Sequence, residues 1–170
     1  MDVSSVIKMN KVYITVAVLL AVAVIAVRSN TTPAEQCPGQ NFEGLSDRIQ
    51  VLPCESKRCK LRKNSNTTVI LKFQTKTEVK ELTNNVFANL GGLPLPFIGV
   101  SGMSACPHVK RADNGQPAPC PLAANVEYVY TNQFPIESFY PQVPLRVHWA
   151  LNDGQKDVIC FEVPAIITKR

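Results

Sequence analysis

The sequence is poor in the side chains that catalytic sites most often use. It contains two histidines, His108 and His148, and charged residues make up only 18% of the chain. No Gly-x-Ser-x-Gly segment indicates a hydrolase nucleophile, and no Cys-x-x-Cys pair indicates a redox centre or a zinc site. We therefore predict that the chain is not an enzyme and that it binds no metal ion and no other cofactor.

A hydrophobic run long enough to cross a bilayer is also missing. The longest one covers residues 12–27 and falls short of the roughly 20 residues that a membrane-spanning helix needs. Two lysines precede this run and small residues follow it near Ser29, which is the pattern of a secretory signal peptide. We predict a signal peptide over residues 1–29 and a mature domain over residues 30–170, with a membrane anchor as the alternative.

A strong excess of one sign of charge is absent too. The chain has 18 basic and 13 acidic residues, and residues 1–29 carry three of the basic residues and one of the acidic ones. Removing them lowers the formal net charge from +5 to +3, far below the strongly basic face of a typical nucleic-acid-binding protein. We expect no nucleic-acid partner and a secreted, extracellular monomer, with the lysosome as an alternative destination.

All six cysteines lie in the predicted mature domain. An even number of cysteines in a secreted protein indicates disulfides, and six cysteines allow 15 pairings. The spacing favours three pairs: Cys54 with Cys59, Cys106 with Cys120, and Cys37 with Cys160. The last pair would close by far the longest loop and would stabilise the fold by about 4–5 kcal/mol in the chain-entropy treatment.

Alternation of apolar and polar residues predicts β-strands along most of the mature domain. The alternating segments are residues 69–74, 126–131, 143–151 and 160–167. Asn152-Asp153-Gly154 predicts the turn between the last two strands. No segment has a convincing helical period, and the best candidate, residues 79–90, is short and rich in asparagine. The pattern predicts an all-β fold, an antiparallel β-sandwich of short strands.

Two apolar segments contain too many glycines or prolines for a regular helix or a central strand. They are residues 90–100, Leu-Gly-Gly-Leu-Pro-Leu-Pro-Phe-Ile-Gly-Val, and residues 134–141, Phe-Pro-Ile-Glu-Ser-Phe-Tyr-Pro. Irregular surface segments are normally polar, so an apolar one is expected to cover an apolar surface. Each segment is interpreted either as a loop packed on its own core or as a wall of a ligand cavity between two sheets.

Two further segments are predicted to face the solvent. Asn66 begins the N-glycosylation sequence Asn-Thr-Thr, which requires an exposed position. Residues 57–63, Lys-Arg-Cys-Lys-Leu-Arg-Lys, hold five basic side chains. These cations either form a solvated turn or dock the protein on an anionic membrane surface or an acidic partner.

Motifs along the whole mature domain resemble those of the ML-domain lipid-binding family, in particular its Niemann-Pick type C2 branch with its arthropod members. The matching segments, in family order, are Cys54…Cys59, Leu93-Pro94-Leu95-Pro96-Phe97, Cys120-Pro121-Leu122, Tyr128-x-Tyr130, Pro135, Tyr140-Pro141, Trp149-Ala150-Leu151 and Cys160-Phe161-Glu162-Val163-Pro164. The resemblance implies an immunoglobulin-like antiparallel β-sandwich of about seven strands, with a lipid cavity between the sheets. It also implies the same three disulfides.

The resemblance implies a ligand site as well. Phe97, Ile136 and Tyr140 align with the residues that gate the family's sterol site, and Trp149 would lie on the floor of the cavity. The full set of implied ligand-binding residues is Leu93, Leu95, Phe97, Ile98, Tyr130, Ile136, Tyr140, Val147 and Trp149.

The implied function is binding and transport of a sterol, a fatty acid or another small lipid by a secreted protein. Transient contact with an anionic membrane surface or with a membrane sterol transporter would accompany the transport. The alternative is innate-immune recognition of microbial glycolipids by the same fold, in which the cations of residues 57–63 contact the phosphates of the glycolipid.

Overall fold

The structure, a computed structural model, describes residues 32–54 and 56–169. The predicted signal peptide lies outside the described residues. Among them, no helix combines the length and the apolar character that crossing a membrane requires. In chain order the elements are β1 (Glu35–Gln36), α1 (Leu45–Arg48), β2 (Ile49–Leu52), β3 (Cys59–Arg62), β4 (Ser65–Gln74), β5 (Thr83–Leu90), β6 (Leu93–Pro96), a 3₁₀ turn (Cys106–His108), β7 (Val109–Arg111), β8 (Glu127–Ile136), β9 (Pro144–Asn152) and β10 (Asp157–Thr168).

The strands form two sheets. The first sheet has the order β1-β10-β9-β5-β6, and β3 also pairs with β10, on the edge that β1 occupies. The second sheet has the order β2-β4-β8-β7. All of these pairs are antiparallel except β3 with β10, which run parallel.

Alternating side chains of both sheets fill the space between them. Val69, Leu71 and Phe73 of β4 are buried from one side, and the odd-numbered residues of β9, such as Val147 and Trp149, are buried from the other. Because side chains of a strand point alternately to its two faces, this period of two buries one face of each sheet. The structure therefore confirms the predicted antiparallel β-sandwich, with ten strands in the described residues where about seven were expected.

The three predicted disulfides are present, and they account for all six cysteines. They are Cys37–Cys160, Cys54–Cys59 and Cys106–Cys120. The first joins the end of β1 to the middle of β10, the second closes the turn before β3, and the third anchors the 3₁₀ turn before β7. Cys37–Cys160 lies on the outer face of the first sheet, whereas Cys54–Cys59 is buried in the core and joins the segment after β2 of the second sheet to the start of β3 in the first.

The structure corrects the sequence-based description of three segments. Residues 83–90, within the best helical candidate, form strand β5. Phe134 and Ile136, expected in an irregular segment, belong to β8 and are buried, while Pro135 between them is exposed. Leu93–Pro96, also expected to be irregular, is the edge strand β6, and all four of its side chains are exposed.

The prolines of β6 explain why this segment can be a strand. The backbone N–H of Phe97 donates to the Val86 carbonyl of β5, so the backbone N–H groups of the odd-numbered residues of this segment point towards β5. The backbone nitrogen atoms of Pro94 and Pro96 consequently point towards the free edge of the sheet, where no N–H donor is needed. Proline excludes a central strand but not an edge strand, and an edge without these donors is also protected against pairing with another chain.

Candidate functional site

An apolar cavity lies between the first sheet and the loop after β8, at the end of the sandwich where β6 lies. Its volume is about 60 Å³, and we call it the mouth cavity. Its walls come from β5, β6, β9, β10 and the loop after β8, and the lining residues are Ala88, Leu90, Leu95, Pro96, Phe97, Tyr140, Pro141, Val143, Leu145 and Ile167. The Tyr140 hydroxyl is the only side-chain oxygen or nitrogen among them, so the mouth cavity is suited to hydrocarbon.

Phe97 and Tyr140 close the mouth cavity from two different segments. Their rings meet edge to face with centroids 5.7 Å apart, and Phe97 also contacts Phe134 of the second sheet at 5.5 Å. The Tyr140 hydroxyl accepts a hydrogen bond of 3.3 Å from the backbone N–H of Ile98, the residue after Phe97. The aromatic pair thus connects the segment after β6 to the loop after β8, and a ligand that enters here has to move it.

A second, smaller cavity lies deeper between the sheets. This inner cavity has a volume of about 10 Å³, and its lining residues are Val51, Cys59, Leu61, Val69, Phe134, Val147, Trp149, Phe161, Val163 and Ala165. Leu145, at the mouth, is followed on the same face of β9 by Val147 and Trp149 at the inner cavity. One continuous apolar path therefore runs along β9 from the mouth to Trp149.

The interior is much more closed than the sequence led us to expect. Ligand pockets in proteins usually measure about 300–1,000 Å³, whereas the mouth cavity has about 60 Å³. The predicted hollow between the sheets is therefore present only as two small cavities separated by packed side chains. A lipid could be accommodated only after the two sheets move apart along this apolar path.

The structure brings five of the nine predicted ligand-binding residues to these cavities. Leu95, Phe97 and Tyr140 line the mouth cavity, and Val147 and Trp149 line the inner one. The remaining four line neither cavity. Tyr130 and Ile136 are buried in the core, and Leu93 and Ile98 lie on the surface with exposed fractions of 59% and 62%.

Several lining residues were missed by the sequence-based prediction. Leu145 and Ile167 line the mouth cavity, and Ala165 and Val163 line the inner one. The sequence pattern that could have identified them was present, because all four occupy the alternating apolar positions of β9 and β10 that were used to predict the strands. What alternation does not reveal is which end of a strand borders a cavity, since that depends on contacts with distant segments.

Tyr130 takes part in a polar cluster within the core. Its hydroxyl donates to Asn84 Oδ1 at 2.6 Å and accepts from Asn132 Nδ2 at 2.9 Å, and Asn84 Nδ2 donates to the Met103 carbonyl at 3.0 Å. Burial raises the pKa of Tyr130 well above its ordinary value, and the two asparagine hydrogen bonds only partly oppose this effect. Tyr130 is therefore a neutral, positioned core residue rather than a base.

A second cluster lies on the outer face of the first sheet. His148 stacks on Phe87 at 4.2 Å, contacts Glu162 at 3.3 Å, and lies 3.4–3.6 Å from the sulfur atoms of Cys37 and Cys160. These cysteines are bonded to each other, so they offer no thiolate to a metal ion. Arg146 bridges Glu162 and Glu35. Its hydrogen bond to Glu35, and to a lesser extent the one to Glu162, raises the pKa of the Arg146 guanidinium. The cluster joins β1, β9 and β10 and has no opening to the mouth cavity.

Basic and apolar side chains surround the mouth on the surface. Lys63 donates to the Ser138 carbonyl at 2.8 Å, next to Phe139, which is 64% exposed. The other four cations of residues 57–63 are exposed. Exposed apolar side chains also include Leu93, Leu95 and Ile98, which flank the mouth on the other side.

A larger groove, about 500 Å³, lies on the surface at the opposite end of the sandwich. Its residues come from the β9–β10 turn and the segments around positions 41–43 and 74–79, and they include Glu43, Lys76, Asp153 and Lys156. The groove is open and mixes both signs of charge, and Asp153 accepts backbone hydrogen bonds of its own turn. Its size therefore gives no reason to prefer it over the apolar path as a lipid site.

Comparison with known proteins agrees with this geometry. The ML-domain family profile matches residues 31–167. The chain is 31% identical to the ecdysteroid-regulated 16 kDa protein of Manduca sexta, over 91% of this chain and 97% of that protein. It is 27% identical to the NPC intracellular cholesterol transporter 2 of Mus musculus, over 92% and 98% of the two chains, and 27% identical to homolog a of that transporter in Drosophila melanogaster, over 88% and 96%.

A solved structure shows the same fold. The crystal structure of a Niemann-Pick type C2 protein from the Japanese carpenter ant superposes with a TM-score of 0.59 at 26% identity, covering 71% of this chain and 89% of that one. These matches confirm the resemblance found in the motifs, and they agree with the prediction that the chain is not an enzyme. The chain belongs to the ML-domain family.

Proposed function

We propose that the protein is a secreted carrier that holds a sterol, a fatty acid or a related small lipid between its two sheets. The observation that carries this proposal is the apolar path from the mouth cavity along β9 to Trp149, closed by Phe97 and Tyr140. Relatives named as cholesterol transporters support a lipid as the ligand. The three disulfides support an extracellular or lysosomal location, because such bonds persist in oxidising compartments.

Burial of hydrocarbon is sufficient to drive binding at such a site. Enclosing roughly 400–500 Å² of apolar ligand surface at about 25 cal/mol/Å² releases on the order of 10–12 kcal/mol. Lost translational and rotational freedom costs at least about 4 kcal/mol, and separating the packed sheets costs more. At most about 6–8 kcal/mol then remains, which corresponds to a dissociation constant of about 1–40 μM or weaker and allows the protein to release its cargo.

The first experiment identifies what the protein carries. Native mass spectrometry of protein secreted by cultured cells is expected to show a complex with a small lipid, released when the protein is denatured. A titration with a fluorescent sterol and a fluorescent fatty acid then measures affinity. Lack of a bound lipid together with no response to either probe would contradict the proposal.

Variants at the mouth test where the ligand binds. We expect Tyr140→Ala and Phe97→Leu to weaken probe binding about tenfold, because each removes part of the aromatic pair that closes over the ligand. Phe97→Ala is less informative, since Phe97 is almost fully buried and its truncation costs about 3 kcal/mol or more of stability. Phe87→Leu is the matched control, because this aromatic of β5 stacks on His148 on the outer face of the first sheet and does not line the cavity. Equal affinities for all variants would contradict a site at this mouth.

The charged and apolar surface around the mouth suggests how cargo is exchanged. Lys63 and the exposed Phe139 lie beside the opening, with Leu95 and Ile98 across it. We infer that this surface makes transient contact with an anionic membrane, so that a lipid passes between bilayer and cavity with little exposure to water. A membrane sterol transporter that receives the lipid at the same mouth is the corresponding protein partner, and the carrier itself acts as a monomer.

Recognition of microbial glycolipids is the second candidate function. It is favoured by the hydrogen bond that places Lys63 at the mouth, because acyl chains inside the sandwich would bring phosphates of a glycolipid next to the cations of residues 57–63. This candidate predicts that affinity for a phosphorylated glycolipid falls steeply as salt is added, whereas sterol binding is nearly independent of salt. A salt titration with both ligands distinguishes the two functions.

A further inference from the structure

The indole nitrogen of Trp149 is a buried donor without an acceptor. The side chain is fully buried in the middle of β9, and Nε1 has no hydrogen-bond partner. Among the described side chains it is the only buried nitrogen or oxygen atom in this situation. Buried polar groups normally have partners, so an unpaired donor inside the sandwich requires an explanation.

The polar groups near Trp149, in contrast, have hydrogen-bond partners. The Tyr130 ring lies 6.3 Å from Trp149, and its hydroxyl has both a donor and an acceptor in Asn132 and Asn84. The buried Thr32 hydroxyl is also paired, since it accepts a hydrogen bond of 2.8 Å from the backbone N–H of Val51, another residue of the inner cavity. The fold therefore pairs its buried polar atoms elsewhere, and the exception coincides with the proposed ligand path.

The position of Trp149 relates the unpaired donor to a ligand. Trp149 lines the inner cavity, where no other lining side chain carries an oxygen or nitrogen atom. Leu145 lines the mouth cavity four residues earlier on the same face, which corresponds to roughly 13 Å along the strand. A lipid that enters at the mouth and extends along β9 therefore brings its leading end to the indole.

We propose that the ligand carries a hydrogen-bond acceptor at its leading end and that Trp149 Nε1 donates to this acceptor. The inference rests on the proposed carrier function and narrows its ligand class to lipids with a hydroxyl, ketone or ester oxygen at the inner terminus. The acceptor is neutral, because no cationic side chain lines either cavity and burial of an unpaired carboxylate is strongly unfavourable.

Two pairs of ligands test the inference with the wild type and Trp149→Phe. The hydrocarbons are 5α-cholestane and hexadecane, and the matched oxygenated ligands are 25-hydroxycholesterol and hexadecane-1,16-diol, which have hydroxyls at both ends so that either end can lead. We expect the loss of affinity in the variant to be about tenfold larger for each oxygenated ligand than for its matched hydrocarbon, because both lose the same apolar contact with the indole and only the oxygenated ligand loses a hydrogen bond. Because each ligand is compared between two proteins, differences in its water solubility cancel.

The wild-type protein offers a second readout that does not depend on a variant. Trp149 is the only tryptophan in the chain, so ¹⁵N-labelled protein gives a single indole N–H resonance. We expect its proton signal to move downfield on addition of an oxygenated ligand and to remain close to the ligand-free position with a hydrocarbon. This readout also decides the matter if Trp149→Phe does not fold.

The outcomes separate this inference from the function on which it rests. The role of Trp149 is overturned if the variant loses the same affinity for both members of a ligand pair. It is also overturned if the indole signal responds equally to both members. In either case the ligands still bind, so the carrier function is unaffected. Failure of all four ligands to bind the wild type would overturn the lipid-carrier proposal itself, and the inference with it.

Discussion

Filling the apolar path with a larger side chain is expected to abolish lipid binding without abolishing the fold. Ala165 of β10 is fully buried at the inner cavity, between Ile167 at the mouth and Val163 farther inside. It pairs with Leu145 of β9, so it lies where a ligand would pass from the mouth to the interior. Ala165→Leu places three additional carbon atoms at this point.

The expected magnitudes follow from the size of the cavities. The inner cavity, about 10 Å³, cannot accept the added carbons, so overpacking should lower the free energy of unfolding by about 1–3 kcal/mol. A ligand stopped at Ala165 loses the burial of its inner half. At about 25 cal/mol/Å², the loss of roughly 200 Å² of buried surface costs on the order of 5 kcal/mol, more than a thousandfold in affinity.

Ala150→Leu provides a matched control. Ala150 is also fully buried in the first sheet, but it belongs to the outer face and packs against Cys37 and Cys160. The same substitution there should destabilise the fold to a similar extent and leave probe affinity unchanged. Affinity is measured by fluorescence titration, and a saturating lipid should raise the melting temperature of the wild type and of Ala150→Leu but not of Ala165→Leu. Equal affinity of both variants would refute the path along β9.

Two further predictions concern stability. Removing the Cys37–Cys160 disulfide by substituting both residues with alanine should lower the free energy of unfolding by about 5 kcal/mol because its partners are 123 residues apart, whereas removing Cys54–Cys59, with a separation of 5, should cost about 2 kcal/mol. Guanidinium denaturation measures both, and the reverse order would contradict the chain-entropy argument. Burial raises the pKa of Tyr130, so the folded state retains a proton that the unfolded chain releases near pH 10. The unfolding free energy of the wild type should therefore fall more steeply above about pH 10 than that of Tyr130→Phe, and equal slopes in alkaline denaturation would show that the Tyr130 hydroxyl is not protected.

The sequence was informative wherever a local pattern determines the structure. Alternation correctly predicted the strands around Val69, Tyr128, Val147 and Val163, because a period of two is sufficient to bury one face of a strand. The spacing of the cysteines predicted the disulfides, since two short loops leave a single remaining pair.

The sequence was less informative wherever distant contacts decide. Strand β5 is rich in asparagine, and its Asn84 is buried only because Tyr130 and the Met103 carbonyl supply hydrogen bonds from other segments. Leu93 and Phe97 stand four residues apart in one apolar segment, yet the first is exposed on an edge strand and the second is buried against Phe134. Composition left a packed loop and a cavity wall as alternatives for this segment, and the resemblance to the family placed both residues in the ligand site.

The closed interior itself is consistent with a carrier that must survive without its cargo. An empty apolar cavity costs about 24 cal/mol per Å³, so holding open even 300 Å³ would cost roughly 7 kcal/mol. The stability of a typical domain is only about 5–15 kcal/mol, so a permanent hollow would use up much of it. Side chains that fill the path in the empty state, and that the ligand displaces, avoid this cost. The work of separating the sheets then lowers the affinity, and the Cys37–Cys160 disulfide does not oppose this separation, because it lies on the outer face of the first sheet and does not join the two layers.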